Sequence, residues 1–526
     1  MHSALLFGGI RDPSKKHPIM TRLPSAHRSP LLNGAFSCFA LTYPGSEPRL
    51  VKGISLVIDN RGSSRRTFLG WAGGVAAAGW LAKPARASAW DDEVGRILAR
   101  IQPPVFPKRD FDVTRHGAVG DGKTDCGEAI ARAIAECTGA GGGRVIFPKG
   151  TFFTGPIRLK SNVNLHVPEG STLKFSRDPK RYLPVVYTRW EGVECLNYSP
   201  QIYADGEENL AVTGGGTLDG QADCEHWWPW KGRANCGGRP GVPLQDDARN
   251  RLFEMGAKDV PIEKRVFGEG SYLRPNLVGP CRSKNILIED VTVKDSPMFE
   301  VSPLLCSNVT IRNVNIASHG PNTDGCDPDS CTDVLIENCT FDTGDDCIAI
   351  KAGRNRDGRR MAKPTENVVI RGCRMKDGHG GLTIGSEMSG SVRNVFAENC
   401  RLDSPDLNQA LRFKTNAVRG GTIEHIYFRN IEIGQVSDAV LQIDFQYEEG
   451  EHGPERPNVH DIDIRNVTCK KSKYALEVRG FKNAPIRDLR LADCTFDNVA
   501  EPNIIEHVVG LTATNVKING AVFKAD

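Results

Sequence analysis

One seven-residue phrase returns along the second half of the chain and restricts its fold more than any other feature. It reads Asn285-Ile-Leu-Ile-Glu-Asp-Val, Asn308-Val-Thr-Ile-Arg-Asn-Val, Asp333-Val-Leu-Ile-Glu-Asn-Cys and Asn367-Val-Val-Ile-Arg-Gly-Cys. It goes on as Asn394-Val-Phe-Ala-Glu-Asn-Cys, His425-Ile-Tyr-Phe-Arg-Asn-Ile, Asp461-Ile-Asp-Ile-Arg-Asn-Val and Asp488-Leu-Arg-Leu-Ala-Asp-Cys, at offsets of 23, 25, 34, 27, 31, 36 and 27 residues. Apolar and polar residues alternate and then meet Asn, Asp or Gly, which is a half-buried strand followed by a bend. No amphipathic helix separates the copies. A lone strand of this kind cannot bury its apolar face, whereas stacked coils bury a continuous inner column. The expected fold is all-β: a single-stranded right-handed parallel β-helix over residues 105–526.

The seventh position holds Val291, Val314, Cys339, Cys373, Cys400, Ile431, Val467 and Cys494. Cysteine that interchanges with Val and Ile at one register reads as a small apolar core residue, and the spacing is not that of a zinc site. Fifteen of the 16 cysteines follow residue 89, an odd number spread too widely for a disulfide framework. Near the start of the coils, Asp125 and Glu128 suggest a capping box for a helix carrying Ala129, Ile130, Ala133 and Ile134, which ends at the Gly139 to Gly143 run and covers the open first coil. Residues 221–282, with Trp227, Trp228, Trp230 and Tyr272, break the repeat and read as a loop insertion near the binding face.

Residues 1–89 hold twelve Lys/Arg and three acids, so the rest of the chain carries a net charge of −6. A negative body argues against general nucleic-acid binding, which needs a basic face. Ser64-Arg65-Arg66-Thr67-Phe68-Leu69 precedes an apolar Ala/Gly-rich run from Trp71 to Ala82 and then Ala87-Ser88-Ala89. This pattern is similar to a twin-arginine export signal with a small-residue cleavage site, and its apolar run is too short to span a bilayer. The expectation is an exported chain, periplasmic or extracellular, with residues 1–89 removed and no membrane anchor. Export signals begin close to their arginines, so the natural start is expected downstream of Met1, near Val51 or Val57.

Aligning coils on the repeat sets Gly344-Asp345-Asp346-Cys-Ile-Ala-Ile-Lys351 against Gly378-His379-Gly-Gly-Leu-Thr-Ile-Gly385, which places Asp345 under His379. Counting back from Asn308 brings Asn322-Thr-Asp324-Gly to the same corner of the preceding coil, with a loop about four residues longer. Counting forward sets Ala410-Leu-Arg412-Phe-Lys414 against Cys347 to Lys351, with Arg412 and Lys414 facing outward and Leu411 and Phe413 inward. Coils lie roughly 4.8 Å apart, so Asp324, Asp345, Asp346 and His379 should share one patch. Mutual repulsion should raise the pKa of at least one acid and supply a proton donor beside ionised bases. Taken singly these motifs are also what β-helix corners use as turns; their convergence in one register favours a site.

Asn322-Thr-Asp324-Gly, Gly344-Asp345-Asp346, Gly378-His379-Gly380 and Arg412-Phe413-Lys414 together resemble the four signature segments of the polygalacturonase family, glycoside hydrolase family 28, whose fold is the pectin-lyase-like β-helix. Phe413 stands where that family usually has Ile, an inward swap. The resemblance covers residues 105–526. It implies inverting hydrolysis of α-1,4-galacturonosyl linkages, in which Asp345 protonates the glycosidic oxygen while Asp324 and Asp346 activate water. Acid and base held roughly 6.5–9.5 Å apart would fit that water. His379 would assist Asp345. Arg412, Lys414, Asn322 and Lys351 would bind the polygalacturonate or oligogalacturonide substrate, whose carboxylates suit a bidentate Arg and a point-charge Lys. It implies no cofactor and no metal, and a monomer is expected. Lys351-Ala-Gly-Arg354-Asn355-Arg-Asp357-Gly and the insertion are similar to bacterial members that remove residues from the chain end, so exo action is expected.

Three other readings stay open at this stage. A pectate lyase would use the clustered acids for calcium, a non-catalytic β-helix would only bind sugar, and a related hydrolase would cut rhamnogalacturonan or xylogalacturonan.

Overall fold

The computed structural model describes residues 87–232 and 240–525. The arginine pair and the apolar run of the expected export signal lie outside them. Parallel strands wind into a β-helix from Asp110 onward, almost every strand pairing with its counterpart one coil away. Lys284–Glu289, Ser307–Arg312, Thr332–Glu337, Thr365–Arg371 and Val392–Glu398 stack in register, Ile286 on Val309 on Val334 on Val368 on Val395. The repeat read from the sequence is this stack, and the chain is a right-handed parallel β-helix. The inward Val, Ile, Leu and Phe form one continuous core, and the alternating polar positions face outward.

Two positions of the repeat explain why the coil turns where it does. The first residue of the phrase (Asn285, Asn308, Asp333, Asn367, Asn394, His425, Asp461 and Asp488) has φ between +53° and +59°. The sixth (Asp290, Asn313, Asn338, Gly372, Asn399, Asn430, Asn466 and Asp493) has φ between +50° and +65°. These are left-handed positions that Asn, Asp and Gly tolerate best. Their side chains also tie neighbouring coils: Asn308 Nδ2 donates to Asn285 Oδ1 at 2.8 Å, and Asn394 Nδ2 to Asn367 Oδ1 at 3.1 Å. Cys339, Cys373, Cys400 and Cys494 are buried in the core as free thiols, as their register implied. Cys224, in the insertion, is held in a disulfide.

A helix does cover the first coil. It spans Gly127–Gly139 and contributes Ala129, Ile130, Ala133, Ile134 and Cys137 to the core. Its N-cap is Cys126 rather than Asp125, with no side-chain cap. The Asp125 carboxylate sits one residue too early for a capping box and instead accepts from Gly127 N at 3.0 Å and from Arg181. A helix over Ala87–Arg100 was not anticipated. It lies on the outer face of the solenoid, where Val94, Ile97 and Ile101 pack against Leu335, Val369 and Phe396, and Arg100 pairs with Asp333 at 2.7 Å. Among the described residues no helix is long and apolar enough to cross a membrane.

The insertion leaves and rejoins the solenoid between adjacent coils, since Glu208–Thr213 pairs directly with Lys284–Glu289. It carries helix Asp246–Ala257 and strand Val266–Phe267, which joins an antiparallel hairpin, Val186–Trp190 with Val193–Asn197. The sequence reads its aromatics as part of a loop near the binding face. Trp227 and Trp228 are instead buried, and Trp227, Trp230, Tyr272 and Tyr182 pack edge to face in a small core of their own, ring centroids 5.0–5.4 Å apart.

Candidate active site

Asp324, Asp345 and Asp346 meet at one corner of consecutive coils, each offering a carboxylate oxygen within 4.8 Å of the others. The register differs by one residue from the count made on the sequence. Cys326 pairs with Ile348, and Gly325 N donates to Asp346 O, so the preceding loop is three residues longer and Asp324 neighbours Asp346. The oxygens are also closer together than the roughly 6.5–9.5 Å expected of an acid and base that bracket a water. Asp345 and Asp346 adjoin in the chain and Asp324 lies only one coil away, so the geometry does not by itself select the stereochemistry.

His379 lies on the next coil. Its N–H donates to Asp345 O, and its Nδ1 is 2.9 Å from Asp345 Oδ1. On the strand after that, Leu411 and Phe413 point into the core while Arg412 and Lys414 point out, the alternation expected. Lys414 Nζ reaches Asp346 Oδ2 at 2.5 Å, and Arg412 Nη1 reaches Asp346 Oδ1 at 3.2 Å. Gln442, stacked on Arg412, accepts from its Nε at 3.2 Å. Tyr447 sets its ring 5.4 Å from Lys414 Nζ.

Asn322 donates from Nδ2 to Asp345 Oδ2 at 3.4 Å, while its Oδ1 accepts from Arg274 Nη2 at 2.8 Å. Lys351 is buried 3.4 Å from Asp324, 3.5 Å from Asp327 and 3.2 Å from Glu387. Its ammonium faces three carboxylates, and it is no more buried than Asp324 and Asp346.

The protonation of this cluster follows from its burial. Asp324 is pushed up to about 7, first by burial and then by repulsion from Asp345, against the pull of Lys351. Burial pushes Asp345 the same way, but the His379 hydrogen bond and charge, with Lys414 and Lys351, hold it below the usual carboxylate range. His379 is correspondingly raised, chiefly by its hydrogen bond to Asp345. Asp324 is thus an acid raised as expected, with burial contributing more than repulsion. Burial would lower Lys351; Asp327, Glu387 and Asp324 outweigh it and hold the ammonium well above its ordinary value.

Beside Lys351 the site meets a wall built around Arg354, whose segment the sequence singled out but whose partners it did not. Arg354 pairs with Glu387 at 3.1 Å and with Glu448 at 2.9 Å, and its guanidinium lies over Phe253 from the insertion helix at 4.2 Å. Arg249 of the same helix pairs with Glu191 at 2.9 Å. No repeat marks these residues, because they come from the hairpin, the insertion and three loops.

A family model for glycosyl hydrolases family 28 matches residues 269–512, and one described as rhamnogalacturonase A/epimerase, pectate lyase-like, matches residues 111–167. The structure superposes on a hyperthermoactive exopolygalacturonase from Thermotoga maritima with a TM-score of 0.80 and 45% identity, covering 82% of this chain and 97% of that one. This chain belongs to glycoside hydrolase family 28. It is a glycoside hydrolase of the polygalacturonase family. More distant relatives include a probable polygalacturonase of Vitis vinifera, 26% identical over 77% of this chain and 78% of its own length. An exo-poly-alpha-D-galacturonosidase of Dickeya chrysanthemi is 26% identical over 70% of this chain and 64% of its own length.

Proposed function

We propose that this family 28 enzyme hydrolyses α-1,4-galacturonosyl linkages of galacturonan from the chain end, with inversion. The observation that carries the reading is the meeting of three carboxylates with His379 on one side and the Arg412 and Lys414 cations on the other. Asp345 has the most open carboxylate of the three and is the one that reaches the glycosidic oxygen. The His379–Asp345 pair holds a proton between them, which passes through Asp345 to the leaving oxygen as the anomeric C–O bond breaks. Asp346 accepts the proton of a water that Asp324 helps to orient, and the oxygen of that water attacks the anomeric carbon. Arg412 and Lys414 take a galacturonate carboxylate through charge-assisted hydrogen bonds, partly exchanging it for Asp346. Asn322 lies where its amide can also meet the sugar.

Exo action is supported by the Arg354, Phe253 and Glu448 wall beside Lys351 and by the similarity to the Thermotoga exopolygalacturonase. Lys351, Lys414 and Arg412 already supply positive charge to the acids, so turnover needs no calcium.

Purified enzyme on oligogalacturonides tests the reading. Monomer as the first product, turnover that survives a chelator, and inverted anomers in early proton NMR spectra are expected. A ladder of oligomers sinks exo action, retained anomers sink the single-displacement roles, and unsaturated products or full activity in Asp345→Asn sink the hydrolytic site itself.

A further inference from the structure

The insertion does more than stand beside the groove, because two of its side chains grip the loop that carries the first catalytic motif. Trp228 lies against Gly320 so closely that a Cβ there would meet its Cε2 at 2.1 Å, and its indole N–H donates to Ser296 O at 2.9 Å. Arg274 is fully buried and uses two of its bonds on this loop, the others reaching the preceding coil and the insertion itself. Nη1 donates to Pro297 O at 2.8 Å and Pro321 O at 2.7 Å, Nη2 to Asn322 Oδ1 at 2.8 Å, and Nε to Gln245 Oε1 at 3.0 Å.

The Asn322 bond has a chemical consequence. An amide has one acceptor oxygen and one donor nitrogen, and fixing the oxygen on a guanidinium fixes where the nitrogen points. It points to Asp345 Oδ2, while His379 takes Oδ1. Asn322 also has φ +56°, so its backbone needs outside support, which the Arg274 bond to the Pro321 carbonyl just before it supplies.

We propose that Arg274 is a positioning residue for the catalytic acid: by anchoring Pro321 and the Asn322 amide, it sets the orientation of the Asp345 carboxyl toward the scissile bond. The inference rests on the role given to Asp345 above. It makes the insertion part of the catalytic apparatus, and a misplacement of about 1 Å in such a group costs on the order of 100-fold in rate.

The test is a double-mutant cycle between Arg274→Lys, which keeps the charge but loses the planar fork, and Asn322→Ala. Each single variant, if folded by its melting transition, should lose roughly 10- to 100-fold in kcat, with KM of Arg274→Lys within about twofold of the parent. The double variant should be little worse than either single one. Parental kcat in Arg274→Lys, a raised KM with unchanged kcat, or additive losses each overturn the proposal. Should no variant at position 274 fold, Asn322→Ala decides alone, and a parental kcat there overturns it. Asp345→Asn is measured in parallel. If it stays active, the reading of the site fails; if it is inactive while the cycle is additive, only the role of Arg274 fails.

Discussion

His379 Nδ1 and Asp345 Oδ1 lie 2.9 Å apart across adjacent coils, the acid lowered and the imidazole raised by the contact. A histidine raised in the folded state keeps its charge, and with it the ion pair, below its folded pKa and loses both as pH rises through that value. The proton stored in the pair follows the same course. In His379→Gln the alkaline limb of kcat/KM should therefore move toward acid, because only the unaided carboxyl remains to hold the proton. Profiles of parent and variant check this, and an unmoved limb removes His379 from the proton path.

Asp324 behaves in the opposite way to a stabilising carboxylate. Its unfolded form releases a proton near the ordinary value of 3.8 and its folded form near about 7, so the folded state binds more protons in between and stability falls across that window as pH rises. Asp324→Asn removes this dependence. The melting temperature of the variant minus that of the parent should rise steadily from pH 4 to pH 7, and a flat difference would contradict the buried, protonated state.

Lys351 balances three buried carboxylates, and Asp327 has no hydrogen-bond partner for either oxygen. Removing one partner of a buried ion pair leaves uncompensated charge. Lys351→Met should cost about 3–5 kcal/mol in denaturant unfolding. Adding Asp327→Asn should return part of it, whereas a single variant as stable as the parent would mean that the cluster is solvated.

Trp90 packs edge to face on Phe396 and Tyr427, with Arg429 over its ring at 4.5 Å and paired to Asp91. Trp90→Ala should lower stability by about 1–3 kcal/mol with kcat and KM unchanged, since helix Ala87–Arg100 sits on the outer sheet and not at the acids. Calorimetry with steady-state kinetics checks both halves.

Much of the site could be read in the sequence for a physical reason. Asp345, His379 and Arg412 occupy fixed offsets from strands whose period of two and left-handed end residues admit no slippage, so counting along the chain was counting in space. Asp324 was misplaced by one residue because it follows a longer loop, where no alternation marks position. Arg274 and Glu387 had no such signal, since loops and the insertion obey no repeat, and Arg354 was marked only by the likeness of its segment to chain-end-cutting members of the family. The protonation pattern was legible only in part. Repulsion among acids is evident from their clustering, but which one yields depends on His379 touching Asp345 while Asp324 lies deeper. Helix Ala87–Arg100 was overlooked because its few apolar residues adjoin a segment that reads as a leader.

The Asn and Asp side chains that join each corner to the next give the active site a ruler. Axial separation between functional groups on this scaffold comes in whole coils of roughly 4.8 Å, and fine adjustment is left to rotamers and to the loops between strands. A change of substrate or stereochemistry in such a molecule need not bend the backbone. Moving one acidic residue up or down by a rung, or lengthening the loop before Asp324, would be enough to redraw the distances that decide which bond is broken and from which side.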